Sequence, residues 1–235
     1  MKTMKRTFLV ISSFLVGAIW LTQQASAQMS TPPATPAEME ALYTESIEGR
    51  TDDILKSLAL TNAVAARTVH DIIIAQYRVM RSRDDLINAK LEAMDKEVNY
   101  TNRAPELEAE SQLLHAHFLA KLAKVLTPEE IEKVKDKMTY NKVKVTYDAY
   151  NNIVPGLTES DKAKIMELLK AAREKAIDGG SAAEKSAIFQ VYKDQINDYL
   201  DAHGHDVAKA YKDWEEKNAV AKASTAPNAE TNTGQ

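Results

Sequence analysis

The strongest constraint on the fold is the spacing of apolar side chains along residues 62–94. Large apolar residues recur there at steps of three, four and seven, which is the repeat of one face of an α-helix. They are Val69, Ile73, Tyr77, Met80, Ile87, Leu91 and Met94. At ~1.5 Å per residue such a helix is about 50 Å long. This length predicts a bundle in which shorter helices pack along one long central helix.

Similar spacing covers most of the chain, and only seven glycines and seven prolines interrupt it. Helix starts are predicted where a capping residue or a proline precedes an apolar stripe. Besides the long helix, the predicted starts are Pro36, Asp52, Pro105, Thr127, Tyr147, Thr158, Ser181 and Asp206. The sequence therefore predicts an all-α fold, a multi-helix bundle of about eight helices.

Three local features carry more specific predictions. A leucine–threonine pair opens three helices, at residues 60–61, 126–127 and 157–158, because threonine caps a helix and leucine packs on its first turn. Gly179-Gly180 predicts a left-handed end to the helix that starts at Thr158. Residues 142–146 alternate valine and lysine, a weak strand signal, and we expect an extended loop there.

The amino-terminal residues have the three parts of a cleavable secretory signal. A positive segment at residues 2–6 precedes an apolar run from Phe8 to Leu21, and small residues follow at 25–27. An uncleaved membrane anchor is disfavoured, because the apolar run ends in polar residues 22–24 and lacks a charged stop. We expect cleavage after Ala27 and a periplasmic or secreted protein without a membrane span.

The remaining chain divides by composition. Residues 28–36 are predicted to be a linker, residues 37–222 a helical domain, and residues 223–235 a disordered polar tail. The absence of cysteine excludes disulfides and a lipidated amino-terminal cysteine. Removal of residues 1–27 leaves 27 basic against 34 acidic residues, a net charge of −7. This charge argues against nucleic acid as a partner.

No catalytic motif is present, so a non-enzymatic protein without cofactor or metal is expected. His115 and His117 lie two residues apart in a predicted helix and point in different directions, so both cannot bind one metal ion. A turn could bring His203 and His205 together, but capping or surface roles fit them better. The sequence has neither a nucleophile elbow nor a glycine-rich phosphate loop.

The carboxy-terminal half is rich in tyrosine, with six of the nine tyrosines after residue 139. Tyrosine suits ligand grooves because its ring is apolar and its hydroxyl is polar. Tyr192 and Tyr199 lie seven apart and are expected to pack in the core. The candidate ligand-binding residues are Asp136, Tyr140, Tyr147, Tyr150, Asn151 and Arg173. The three tyrosines would stack on sugar rings, and the other three would hydrogen-bond sugar hydroxyls.

Several short motifs occur in a specific order along the chain. They are Ile74-Ala75-Gln76-Tyr77, Lys135-Asp136, Met138-Thr139-Tyr140, Thr146-Tyr147 with Tyr150, Leu157-Thr158, Ala171-Ala172-Arg173-Glu174, Lys185, Tyr192-Lys193 and Ile196-Asn197-Asp198-Tyr199-Leu200. In this order they resemble the domain of unknown function 3826 family. Lys137 and Asn141 stand where that family has glycines, and asparagine tolerates a left-handed turn.

This resemblance implies an exported helical protein of Gram-negative, polysaccharide-degrading bacteria, described as sugar-binding, and it carries no catalytic residues. The expected function is therefore carbohydrate binding or an accessory part in glycan utilisation, with an oligosaccharide or an envelope protein as partner. The leucine–threonine helix starts are also similar to Spy-like and CpxP-like periplasmic chaperones. In that alternative, an apolar surface bearing Met80 and Met94 would bind clients.

Overall fold

The computed structural model describes the backbone of residues 35–225, and all side chains in that range except those of 107–110, 112 and 220–225. This part of the chain forms eight helices and no strand. They are α1 (Pro36–Leu58), α2 (Ala63–Ala93), α3 (Tyr100–Leu122), α4 (Pro128–Met138), α5 (Lys142–Ile153), α6 (Glu159–Ala176), α7 (Ala182–Ala202) and α8 (Val207–Thr225). The predicted all-α bundle with one long helix, α2, is confirmed.

The ends of the prediction lie partly outside this range. The signal segment at 1–27 and the predicted linker up to residue 34 are not among the described residues. Helix α8 continues to Thr225, three residues past the predicted boundary at 222. Residues 226–235 also lie outside the described range.

Threonine and asparagine caps set most of the helix starts. In α1, α4 and α6 the side chain of a capping threonine accepts a hydrogen bond from the backbone N–H of the third helical residue. The acidic side chain of that third residue in turn accepts from the backbone N–H of the threonine. The predicted starts at Thr127 and Thr158 are confirmed, and Ser181 caps α7 as predicted. Before α2 the cap is Asn62 and not Thr61, because Asn62 accepts from the backbone N–H groups of both Val64 and Ala65.

The predicted break within residues 36–58 is wrong, because α1 is continuous through Asp52. No proline interrupts this stretch after the first turn, and its one glycine, Gly49, lies inside the helix. The Thr51 hydroxyl donates to the Ile47 carbonyl at 2.7 Å, so the buried polar group is satisfied within the helix. A single buried stripe therefore runs from Ile47 to Leu58.

Two helices start earlier than predicted. Helix α3 begins at Tyr100 and not at Pro105, because Asn99 caps it and accepts from the Asn102 N–H at 3.0 Å. Because Pro105 has no backbone N–H, it removes one hydrogen bond from the interior of α3, and the helix continues through it. Helix α5 begins at Lys142, so the predicted extended loop at 142–146 is wrong. Val143 and Tyr150 lie seven residues apart on one face of this helix, and both are buried. The alternation of valine and lysine obscured this helical spacing.

The predicted left-handed stop at Gly179-Gly180 is also wrong, because neither glycine has a positive φ. A buried lysine closes the end of α6 instead. The Lys185 ammonium donates to the carbonyls of Ala176 and Ile177 at 2.9 and 3.1 Å. A cation at the carboxyl end of a helix satisfies carbonyls that have no partner within the helix.

The eight helices build two four-helix halves, each with its own apolar core. The core of the first half, α1 to α4, contains Ile47, Ile54, Val69, Ile73, Met80, Phe118, Leu122, Val134 and Met138. The core of the second half, α5 to α8, contains Tyr150, Ile165, Leu169, Ala172, Phe189, Ile196 and Leu200. Ile177, in the loop between α6 and α7, packs in the core of the first half. It links the two cores, as does Tyr100 at the start of α3, which packs against the second core.

Most of the junction between the halves is charged, and we call it the ionic interface. Its first part joins α4 to α6 around Arg173, which is buried. The Arg173 Nη1 donates to Asp136 Oδ1 at 2.6 Å, and its Nη2 bonds Glu132 and Glu174. Lys135 Nζ lies 3.1 Å from Glu132 and 2.9 Å from Glu174. Two cations thus face three carboxylates.

The second part of the ionic interface joins α2 and α3 to the loop between α6 and α7. His115 Nδ1 lies 2.9 Å from Asp178 Oδ2, and its Nε2 lies 3.6 Å from Glu174. The buried Arg83 donates to the Asp178 carbonyl at 2.6 Å and pairs with Asp84. These contacts fix the loop against the long helix.

The third part joins the start of α3 to the start of α7. Arg103 pairs with Asp84 at 2.9 Å and with Glu184 at 3.1 Å. The other Glu184 oxygen accepts from the Gly180 N–H at 2.7 Å. Removing one member of such a buried group leaves an uncompensated charge, which costs about 3–5 kcal/mol.

The first testable prediction concerns pH. Hydrogen bonds to Asp178 and Glu174 raise the pKa of His115 to about 9, against desolvation. Because the folded pKa lies above the unfolded value of about 6.5, protonated His115 stabilises the fold fully below pH 6.5. That contribution is lost as pH rises towards 9. We expect the stability advantage of the wild type over His115→Gln to fall by on the order of 2 kcal/mol across this window.

Urea denaturation at pH 6, 7.5 and 9 measures this dependence. The matched control is His117→Gln, since His117 lies on the same helix and is exposed. It should keep the wild-type dependence. A His115→Gln variant that loses stability between pH 6.5 and 9 as the wild type does would contradict the assignment.

The second testable prediction concerns close approach at the ionic interface. A Cβ on Gly180 would lie 1.5 Å from Asp84 Oδ2. Asp84 cannot move aside without leaving the buried Arg83 and Arg103, so Gly180→Ala should destabilise the fold by about 1–3 kcal/mol. Gly49→Ala is the opposite case. Nothing lies within 4 Å of its Cβ position.

In the interior of α1, Gly49→Ala should stabilise the protein by about 0.5–1 kcal/mol. Denaturant melts of the two variants give both values. Equal stability of Gly180→Ala and wild type would show that Asp84 is free to shift.

Candidate functional site

A surface groove follows the face shared by α1 and α2. It consists of three depressions that join through common residues. The central pocket, about 470 Å³, is lined by Met39, Leu42, Tyr43, Ser46, Arg50, Tyr77, Met80, Arg81, Asp84, Asp85 and Gly180. The turn pocket, about 320 Å³, is lined by Arg50, Asp53, Ile54, Tyr77, Lys137, Met138, Tyr140 and Asn141. The loop pocket, about 540 Å³, is lined by Asp84, Asn88, Val98, Asn99, Tyr100, Arg103, Gly180, Ser181, Ala183, Glu184 and Ala187.

The helices make this groove because one side of each presents a continuous row of side chains. Along α1 the lining residues recur at steps of three and four from Met39 to Ile54, which places them on one face. Along α2 the same spacing runs from Tyr77 to Asn88. Arg50 and Tyr77 belong to both the central and turn pockets, and Asp84 and Gly180 to both the central and loop pockets. We call the whole surface the tyrosine groove.

Four tyrosines line it, at residues 43, 77, 100 and 140. Tyr43 and Tyr77 are tied together, because the Tyr43 hydroxyl donates to the Tyr77 carbonyl at 2.7 Å. The Arg81 guanidinium lies 4.2 Å from the centre of the Tyr43 ring, a cation–π contact. Burial raises the pKa of Tyr77 to about 12, so its hydroxyl stays protonated. These rings form a fixed apolar floor.

Tyr140 is the most exposed of the four tyrosines, at 41%. It lies in the turn between α4 and α5, with φ of 58°, and Asn141 follows with φ of 54°. The Asn141 N–H donates to the Asp136 carbonyl at 2.7 Å, which closes the turn. A left-handed backbone conformation costs a residue other than glycine on the order of 1–2 kcal/mol. The fold thus holds Tyr140 at the edge of the groove at a cost in stability.

Three charged side chains in the groove have no partner. Among the described residues, Arg50, Lys137 and Asp85 form no hydrogen bond or ion pair through their side chains. The other charged lining residues are paired. Arg81 pairs with Glu40 at 2.8 Å, and Asp84 is held by Arg83 and Arg103. Unpaired charges beside fixed aromatic rings are the groups that a polar ligand would engage.

The structure brings together two of the six predicted site residues, Asp136 and Arg173. Their contact at 2.6 Å belongs to the ionic interface. The Arg173 guanidinium is buried, and desolvation lowers its pKa, but hydrogen bonds to Asp136 and Glu132 raise it, so the net shift of the pKa is upward. Arg173 therefore holds α6 against α4 and faces no groove.

The other four predicted residues do not join this pair, and they do not form one site. Tyr150 is 3% exposed and packs in the second core, where its hydroxyl donates to Asn197 Oδ1 at 2.7 Å. Tyr147 is half-buried against the same core. Asn151 lies on the surface of α5 and donates to the Tyr147 carbonyl. Of the six, Tyr140 alone lines the tyrosine groove.

Sequence reasoning missed Tyr43, Arg50 and Asp85. Tyr77 was counted only as part of the buried stripe of the long helix. The available signal was weak: Tyr43 and Arg50 are seven apart on one helix face, but nothing in the sequence pairs that face with α2. Met80, proposed for a chaperone surface, is 2% exposed and belongs to the first core. Met94 is exposed at the end of α2.

A further depression of about 630 Å³ lies between α5 and α8, away from the groove. It is lined by Val145, Asp148, Ala149, Asn152, Ile153 and Trp214. Trp214 is exposed, which gives this depression one aromatic face. It contains none of the six predicted residues.

Among the side chains that the structure describes within residues 35–225, no group of three or more metal-ligating residues lies close enough together to hold an ion. His203 bonds the Tyr199 carbonyl and His205 bonds Asp161, so the two rings have separate partners. Among the described helices, none combines the length and apolar character needed to cross a bilayer.

A family model described as "Protein of unknown function (DUF3826)" matches residues 44–220, which include α2 to α7 and most of α1 and α8. No curated protein matches the chain. The matched range contains the tyrosine groove except for residues 39–43.

Proposed function

This chain belongs to the DUF3826 family, and from that premise we propose that it is a non-catalytic, exported protein that binds carbohydrate in the tyrosine groove. The observation that carries the proposal is the combination of four tyrosines with Arg50, Lys137 and Asp85, which are unpaired among the described residues, along three adjacent pockets that share lining residues. Apolar rings suit the C–H faces of sugars, and unpaired polar groups suit their hydroxyls.

The dimensions of the groove favour a chain of sugars over a single one. Each of its three depressions lies in or near the size range of a small-ligand pocket, about 300–1,000 Å³. They follow one another along the axes of α1 and α2. An oligosaccharide laid along this face would contact Tyr140 in the turn pocket, then Tyr43 in the central pocket, and then Tyr100 in the loop pocket beside α2.

Binding without catalysis is proposed because the carboxylates in the groove are engaged elsewhere. Asp84 and Glu184 hold Arg103, and Asp84 also holds Arg83. In the central pocket Asp85 is then the one acidic residue without an ion-pair partner among the described residues, whereas glycosidases use two carboxylates. Export is proposed from the signal-like residues 1–27.

The third testable prediction concerns Tyr140. We expect the purified protein to bind at least one oligosaccharide class in isothermal titration calorimetry, with a matching rise in melting temperature. Tyr140→Ala should weaken that binding about tenfold, because loss of one stacking ring costs on the order of 1.4 kcal/mol. The residue lies at the surface, so the variant should keep its helical circular dichroism.

The matched control is Tyr211→Ala. Tyr211 is 40% exposed, almost as much as Tyr140, but it lies on α8 outside the groove. Its removal should leave the affinity unchanged. Equal weakening by both variants would place binding elsewhere, and no binding to any glycan would overturn the proposed function.

A further inference from the structure

The distribution of unpaired charge within the tyrosine groove distinguishes the turn pocket from the central pocket. Arg50 and Lys137 both line the turn pocket, where the one acidic residue, Asp53, lies 3.9 Å from the exposed Lys56. Asp85 lies in the central pocket, on the other side of Arg50. The turn pocket therefore has an excess of positive charge that the described residues do not neutralise.

Arg50 is placed to act on a ligand in both pockets. It lines the central and turn pockets together with Tyr77, whose ring is buried. Burial raises the pKa of Tyr77 and of Tyr43, and the Arg50 charge acts in the opposite direction on both hydroxyls. The Arg50 guanidinium thus lies near enough to both tyrosines for its charge to act on the pKa of their hydroxyls.

A neutral sugar leaves such a guanidinium without an ionic partner. A carboxylate matches it in charge and in planar geometry, because the guanidinium can donate two parallel hydrogen bonds to the two oxygens. Lys137 adds a second positive charge at the same pocket without fixed geometry. A sugar bearing a carboxylate therefore fits the turn pocket better than its neutral equivalent.

We infer that the groove is selective for acidic glycans, and that the turn pocket takes the carboxylate of a uronic-acid unit between Arg50 and Lys137. This inference rests on the proposed function. Asp85 would repel a second carboxylate at the central pocket, so the neighbouring unit presents hydroxyls there. The whole chain has a net charge of −4, so polyanions are not attracted to the protein in general.

The fourth testable prediction compares one oligosaccharide in two charge states. The probes are galacturonic-acid oligomers of three to six units and the same oligomers with every carboxylate methyl-esterified. Calorimetry should show the free acid binding at least tenfold more tightly than its ester. That preference should shrink as sodium chloride rises from about 0.05 to 0.5 M, because salt screens exposed charges.

Arg50→Gln is the decisive variant, since glutamine keeps the length of the side chain and removes the charge. It should abolish the preference for the free acid and leave binding of the ester within about threefold. Lys137→Gln should reduce the preference by a smaller factor. The matched control is Arg67→Gln, because Arg67 is exposed on α2, unpaired among the described residues and outside the groove. It should behave as wild type.

The outcomes separate this inference from the proposed function. Binding of neutral glycans equal to or tighter than the acids would overturn the inference and leave the proposed function standing. Equal loss of acid and ester binding in Arg50→Gln would also overturn it, since Arg50 would then act on the shape of the groove. Tighter binding of a sulfated oligosaccharide than of the uronic acid would overturn the choice of carboxylate. No glycan binding at all would overturn both.

Discussion

The ionic interface is the contact on which the rest of this structure depends. The two halves have separate apolar cores, and Ile177 is the one buried apolar residue that belongs to the second half in sequence and to the first core in space. Charged contacts of Arg173, Lys135, His115, Arg83 and Arg103 supply most of the remaining attachment. Charged hydrogen bonds are directional and short in range, so they fix the relative position of the halves more closely than apolar packing alone would.

That fixed position is what makes a groove out of two adjacent helices. Helices α1 and α2 would by themselves present a shallow furrow. The turn after α4 and the loop after α6 deepen it at its two ends, and each is held by the ionic interface. Asp84 takes part in both features, since it lines the groove and binds two buried arginines. A change in the ionic interface is therefore expected to alter the shape of the tyrosine groove.

The sequence was sufficient for the helices but not for the site. Apolar spacing and capping residues located α2, α4 and α6 closely, because these signals are local. The predicted starts of α3 and α5 lie too late in the chain. In α3 the helix tolerates a proline that resembles a helix start, and in α5 the alternating valines resemble a strand. The site depends on which helix faces which, and that pairing is set by contacts between residues far apart in sequence. The sequence around Arg173 does not indicate whether its side chain binds a ligand or Asp136. The sequence around Tyr150 does not indicate whether its ring lies in a core or in a groove.

Lys185 has a consequence for how this molecule can be observed. Its ammonium is enclosed at the end of α6, and burial lowers its pKa to about 8, partly opposed by Asp178 and Glu184. A lysine-specific acylating reagent cannot reach it while the junction stays closed. The time course with which Lys185 alone becomes acylated therefore reports transient opening between the halves. The chain carries its own probe of local unfolding, without any added label.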